Sequence, residues 1–308
     1  MFQTGHSRQI SGTPAAVTLI LQTIVDGLVL GGLYSLAAIG FSLIFGVMNV
    51  VNLSHGIIVL IGSYLSYILW RTLGIDPLLS IPLVMVALFG FGYVYQRGLI
   101  QLAVDRSSLL ASMLVTFGVA LMLRNVLVLI FSPDFKSITP SWAFNFFVIG
   151  PITVDLVRIS ALAASLVLLC LLALVLGYTH MGRVIRATAQ QDLAARLCGV
   201  NARHVYGLTF GVSAAFAGAS GAILGIVLPF SPPDEAHWTI NAFVVVTLGG
   251  VGSPSGALIG GLLLGLISTA TSQAIGPAFP NAMMFLILVI MLLVRPAGLL
   301  GNAFSGSR

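Results

Sequence analysis

The run Asn49-Val50-Val51-Asn52-Leu53-Ser54-His55-Gly56 places four hydrogen-bonding side chains within seven positions, directly after a long apolar stretch. Facing lipid, such groups would lose water without gaining partners, so they line an interior or mark a helix break. Two roles stay open for them. Asn52 and Ser54 could cap the following helix, since both types favour the N-cap. Alternatively Asn49, Asn52, Ser54, His55 and Gly56 could form the wall of a polar path. No metal site is expected, because no second His, Cys or carboxylate stands at ligand spacing from His55. A second segment, Leu248-Gly249-Gly250-Val251-Gly252-Ser253-Pro254-Ser255-Gly256, is too glycine-rich and proline-broken for continuous helix. Irregular backbone at membrane depth is tolerated where protein buries it or where it borders water. Gly249, Gly250, Gly252, Ser253 and Gly256 therefore join the path candidates. Asp26 is an acidic residue well inside an apolar stretch, and it stands either as a titrating group or as an interfacial one.

Other chemistries are missing from the sequence. The single lysine, Lys136, follows Asp134-Phe135 and not a glycine loop, so no phosphate cradle of the P-loop type is present. Neither H-E-x-x-H nor G-x-S-x-G occurs, and apart from Asp234-Glu235 the carboxylates are scattered singly, which argues against acid/base or nucleophilic catalysis. The chain is expected not to be an enzyme and to hold no cofactor of its own. Cys170 lies in an apolar run and Cys198 in a basic segment, so no disulfide is implied.

The elements that position these residues must be membrane helices. Of 308 residues, 58% are hydrophobic and 7% charged, against roughly 25% charged in soluble domains. With a mean hydropathy of +1.09, lipid has to be the outer solvent. This excludes a secreted domain, a cytosolic enzyme and a disordered chain. The net charge of +5 is too thinly spread for a nucleic-acid partner. Apolar stretches cover 17–47, 56–70, 79–96, 109–131, 159–178, 205–228, 239–251, 255–275 and 282–294. A span takes about 20 apolar residues, and open sheets leave unpaired edges in lipid. The expected fold is thus an all-α polytopic bundle of about eight spans, with broken or half-length helices. The 17–47 run is long for one span and short for two, so a tilted span followed by a half-length helix is expected there. A cleavable leader over 17–40 is disfavoured, because Asp26 interrupts it and no basic residue immediately precedes it.

Charge sets the orientation. Arg183, Arg186, Arg196 and Arg203 crowd one connection, Arg97 and Arg106 another, and Arg295 and Arg308 the tail; these are cytoplasmic by the positive-inside rule. The connections 132–158 and 229–238 carry acidic residues and belong outside. Arg8 and His6 lean the N-terminus toward the cytoplasm. The domain plan is a tail over 1–16, a transmembrane domain over 17–294 with a cytoplasmic loop at 179–204, and a tail over 295–308. Short or interrupted segments in both halves, about 17–131 and 205–294, suggest a pseudo-repeat around a midplane path. Glycines at four-residue spacing, such as Gly27/Gly31, Gly221/Gly225 and Gly252/Gly256/Gly260, are read chiefly as close helix packing.

The 179–204 loop has its own pattern. Asp192 and Arg196 stand at i, i+4, and Gly199 falls where a helix would end. Leu193 and Leu197 share a face that Ala189 approaches, giving a small apolar knob. A short docking helix is preferred over an ordinary basic surface loop.

At these residues the sequence resembles the permease subunits of high-affinity branched-chain amino acid ABC importers, over nearly the whole chain from about residue 17. The resemblance is carried by Asn52-Leu53-Ser54-His55-Gly56 with Ile61-Gly62-Ser63-Tyr64, by the 186–201 segment, by Gly249-Gly250-Val251-Gly252-Ser253 with Gly256, and by Arg295-Pro296-Ala297-Gly298-Leu299-Leu300-Gly301. It implies a coupling helix in the 179–204 loop that docks on separate ATP-binding subunits, where ATP would be held. Arg183, Arg186, Ala189, Asp192, Leu193, Ala195, Leu197 and Gly199 would be the coupling residues. It further implies a second homologous permease, two ATPase subunits, a periplasmic substrate-binding protein and a bacterial inner membrane, multi-pass. Family members tend to carry an acidic residue after His-Gly, where this chain has Ile57. That departure leaves the substrate open among branched-chain amino acids, urea, short amides and aromatic acids. An ion-coupled transporter or channel using Asp26 is the alternative class, and a membrane enzyme a distant third.

Overall fold

A computed structural model describes residues 15–104, 109–149, 152–295 and 297–300. Arg8, His6, Arg106, Pro296, Gly301 and Arg308, used above, lie outside the described residues. Among the described residues, seven helices are long and apolar enough to cross a bilayer. They are α1 (Ala15–Met48), α2 (His55–Leu73), α3 (Pro77–Tyr95), which runs on through a π turn at Gln96–Ile100 into α4 (Gln101–Val104), then α5 (Leu109–Phe131), α6 (Leu156–Tyr178), α9 (Ala202–Val227) and α11 (Pro254–Ala274). Between α6 and α9 lie α7 (His180–Gln190) and α8 (Asp192–Leu197). Two 15-residue helices complete the bundle, α10 (Glu235–Gly249) and α12 (Pro280–Val294). A hairpin of β1 (Phe146–Ile149) and β2 (Ile152–Asp155) decorates one connection and leaves the fold all-α.

The first apolar run corrects an expectation. Residues 15–48 form one continuous helix of 34 residues with no break, about 50 Å long at 1.5 Å per residue. No proline interrupts the run, and its glycines are absorbed by packing instead. The half-length element lies at α10, as the short 239–251 run suggested.

The bundle is organised around α1 and α9, whose apolar windows are 83% and 94% buried within the chain, against 17% for α5. Both are rich in small residues, and lipid offers no hydrophobic drive for helix association, so close approach has to supply the attraction. A Cβ on Gly62 would collide with the Gly218 backbone, and one on Gly265 with that of Gly31. Serine hydroxyls fasten the same crossings by donating to carbonyls across helices: Ser213 to Gly40 at 2.7 Å, Ser35 to Leu258 at 2.8 Å and Ser63 to Gly221 at 2.6 Å.

These contacts fix directions. Gly40 meets Ser213 while Leu33 meets Ser220, so α9 runs antiparallel to α1. Asp26 meets Arg158 and Gly32 meets Ser165, so α6 runs parallel to α1. With the basic 179–204 segment on the cytoplasmic side, the start of α1 faces outward. The start of α1 thus lies at the end of the bundle opposite the basic 179–204 segment, and Arg8 and His6 themselves lie outside the described residues.

The outer connections are not loose loops. Lys136 and Phe230 exchange backbone hydrogen bonds at 2.9 Å each, and the Trp142 indole donates to Asp76 at 2.7 Å. The 229–238 turn, read above as a plain external loop, folds inward, with Phe230, Ser231, Glu235 and Trp238 all buried.

Candidate functional site

The 49–56 segment forms a closed polar cluster. Asn52 Oδ1 accepts from the Ser54 amide at 3.1 Å and the Ser54 hydroxyl at 2.6 Å, and that hydroxyl also meets the Tyr95 hydroxyl at 3.1 Å. The Leu53 amide donates to Thr116 Oγ1 and the Gly56 amide to Thr239 Oγ1. His55 Nε2 lies 2.8 Å from the Ala37 carbonyl oxygen, and Phe41 packs edge-on against its ring. Asn52, Ser54, His55 and Gly56 are buried, whereas Asn49 is exposed. Ser54 is the N-cap of α2 by position, but its side chain makes no cap bond; Asn52 instead closes a local turn. The cluster reaches five helices, α1, α3, α5, α10 and its own α2. Two buried atoms within it, Asn52 Nδ2 and His55 Nδ1, have no hydrogen-bond partner among the described residues.

The 249–256 segment is built from backbone. Helix α10 stops at Gly250, whose φ of 110° excludes an ordinary side chain, and Gly252 follows at φ 78°. Ser253 caps α11 by accepting from the Gly256 amide at 3.1 Å, with Pro254 in its first turn. Gly249 and Gly256 touch backbone to backbone, so a Cβ on either would strike the other. The terminal motif closes on this joint: the Leu299 and Leu300 amides donate to the Leu248 and Gly249 carbonyls at 2.9 Å.

The basic 179–204 segment divides in two at Gln191, where one short helix was expected. Thr179 caps α7, and Arg183 and Arg186 turn back to donate to the end carbonyls of α6, which satisfies groups a helix C-terminus leaves open. In α8 the Asp192–Arg196 pair forms at 2.8 Å, and the neighbouring carboxylate raises the Arg196 pKa. Gly199 at φ 85° ends it. Leu193 and Leu197 are 67% and 82% exposed, the apolar knob the spacing suggested. Ala195 faces inward and Ala189 is half-buried, so Ala195 offers no surface to a partner.

One cavity joins two of these groups. About 420 Å³ in volume, it is walled by Gly46, Leu172, Gly252, Ser253, Ile185, Arg186 and Ala189, among others. Path candidates from the glycine joint and coupling candidates from α7 therefore share a chamber at the inner end. Asn52, Ser54, His55, Gly249, Gly250 and Gly256 do not line it. Asp26 is placed at the outer end, ion-paired with Arg158 and bonded by Gln22, which makes it an interfacial residue. Sequence reasoning passed over Arg124, although it is a lone charge inside the 109–131 stretch; it faces the buried Glu235. Among the described residues no cluster of three His, Cys, Asp or Glu could hold a metal.

The family described as branched-chain amino acid transport system / permease component matches residues 23–295. The permease protein BraD of Pseudomonas aeruginosa, of a high-affinity branched-chain amino acid transport system, is 30% identical over 92% of this chain and 96% of its own length. The corresponding LivH of Escherichia coli strain K12 is 31% identical with the same coverage. LivM of the same strain, a second permease protein of such a system, is 25% identical over 90% of this chain and 69% of its own. No solved structure matches. The buried glycine joint, the polar 49–56 cluster and the basic α7–α8 segment thus sit in a chain that belongs to the family of branched-chain amino acid transport permease components.

Proposed function

We propose that this chain is a membrane-spanning permease subunit of an ATP-binding cassette importer, conducting branched-chain or closely related amino acids. It works beside a second, homologous permease, in a bacterial inner membrane. A periplasmic binding protein delivers the solute at the outer face, and two separate ATPase subunits dock on α7 and α8. The chain performs no catalysis, and ATP is held by the partners.

The observation that carries this reading is the inner chamber. Its walls include Ile185, Arg186 and Ala189 of the docking segment and Gly252 and Ser253 of the helix break. A displacement of α7 by an ATPase is felt directly at the joint between α10 and α11. The Arg186 contacts to the end of α6 extend the same push to a full span. A ligand or motor shifts an equilibrium only through contacts that differ between its states, and this chamber is where such contacts can differ. The ion-coupled alternative loses support from Asp26, whose carboxylate is neutralised by Arg158.

The test is co-purification and uptake with the complete importer. Asp192→Lys with Leu193→Glu is expected to abolish ATPase association and leucine uptake together, while the permease still accumulates in the membrane. Retention of both would overturn the docking assignment.

A further inference from the structure

Arg124 and Glu235 form an ion pair across two elements, Glu235 standing in the first turn of α10 where the helix dipole favours a carboxylate and Arg124 lying within α5. Arg124 lies seven residues inside the outer end of α5, about 10 Å deep at 1.5 Å per residue. Its guanidinium stands 3.8 Å from the Glu235 carboxylate, with side-chain exposures of 35% and 6% respectively. That separation is beyond hydrogen-bond reach, and no hydrogen bond to either charged group is formed among the described residues. A buried pair offsets its lost hydration when geometry is close and the remaining donors and acceptors are satisfied. Here they are not.

The surroundings explain why the pair is open on one side. Helix α5 is the least buried of the seven long helices, and about a third of the Arg124 side chain stays uncovered by this chain. Glu235 is held from behind: its backbone carbonyl abuts Gly56, and Thr239 one turn on accepts the Gly56 amide at 2.9 Å. The carboxylate is thus fixed at the outer edge of the 49–56 cluster, while the guanidinium can move.

We infer that Arg124 and Glu235 form a binding station for the charged head group of an α-amino acid. The unmet capacity on each side names the ligand chemistry. Glu235 lacks an N–H donor, which an ammonium supplies, and the Arg124 fork lacks a carboxylate, which it binds in two-point fashion. An α-amino acid zwitterion carries both on its one α carbon. On arrival its carboxylate takes the guanidinium and its ammonium takes Glu235, so the site stays neutral before and after. Urea and short amides, which carry neither charge, would gain nothing here. This inference rests on the amino-acid importer reading and names the residues that read its substrate.

The experiment reconstitutes the whole importer, with second permease, ATPases and binding protein, in proteoliposomes and follows labelled leucine and ATP hydrolysis together. If the unaltered importer moves no leucine, the importer reading fails and the station with it. If it does move leucine, Arg124→Gln and Glu235→Gln are each expected to cut uptake about tenfold or more, since truncating one member of a buried charged contact is costly. Complex yield and ATP hydrolysis stimulated by loaded binding protein should stay within about twofold, because α7 and α8 are untouched. The double variant separates the roles. A purely structural pair recovers when both charges are removed, since no lone buried charge remains. A station does not recover, so double-variant uptake at half the unaltered level or above overturns the inference. Should the neutral variants fail to assemble, Arg124→Lys decides. It keeps the charge and hence a structural pair, but loses the planar fork, and leucine moved per ATP should fall about threefold or more. An unchanged ratio overturns the inference.

Discussion

Between α1 and α2 the chain turns through residues held by side chains, and between α10 and α11 it turns through residues that have almost none. Both turns rest on the inner half of α1: His55 meets Ala37, and Gly252 meets Gly46. In the first, Asn52, Ser54, His55, Thr116, Thr239 and Tyr95 fasten five helices through hydrogen bonds. In the second, Gly249 presses on Gly256 and Gly298 on Gly250, with the chain end paired across the break. A hydrogen-bonded cluster has alternatives within reach, because a hydroxyl can rotate to another acceptor. A backbone contact has none. The difference makes the glycine joint a stiff element beside the inner chamber, and the polar segment the part able to rearrange.

That comparison breaks first at Gly256. Gly256→Ala drives a Cβ into the Gly249 carbonyl with no flexible side chain to yield. The expected cost is about 3 kcal/mol, at the upper range of overpacking, read as a large fall in the unfolding midpoint in detergent or as failure to accumulate. An unchanged midpoint would show that the joint opens freely, and the contrast would be lost.

Asn52→Ala is expected to cost less, about 1–3 kcal/mol, because the buried Ser54 amide and hydroxyl lose their acceptor. The protein should still assemble, with a lower midpoint and faster backbone exchange confined to the start of α2. Exchange spreading over α9 would mean that the cluster is as stiff as the joint.

The legible part of this molecule was the part written in composition and spacing. Long apolar runs gave the spans, and the i, i+4 pair with Gly199 gave α8 and its exposed leucines. The glycine and proline string gave the break before α11. What escaped depends on tertiary neighbours. The continuity of α1 could not be read from its length, because its glycines are helical only by virtue of α9 and α11 packed against them. Asp26 stood open between an intramembrane and an interfacial role, because its partner Arg158 lies 132 positions away in the chain. Glu235 looked like a loop acid because nothing local reveals that its turn folds inward onto Gly56. Arg124 was visible as a charge in an apolar stretch, but its partner was not.

The smallest expected effect sharpens the comparison most finely. Asn49 and Gly250 both have positive φ, 51° and 110°. Asn49 lies in the ordinary left-handed well, which asparagine enters more readily than other side-chain residues. Gly250, with ψ 122°, lies where a Cβ is not accommodated. Asn49 is exposed and forms no side-chain bond within the polar cluster, so Asn49→Gly should shift stability by less than about 0.5 kcal/mol. Asn49→Val, a β-branched residue at the same φ, should cost about 1–2 kcal/mol. Thermal unfolding of the two variants side by side measures the difference. A neutral valine would show that the turn after α1 has freedom enough to relax, and would extend the mobile part of the molecule from the polar cluster back to the end of α1.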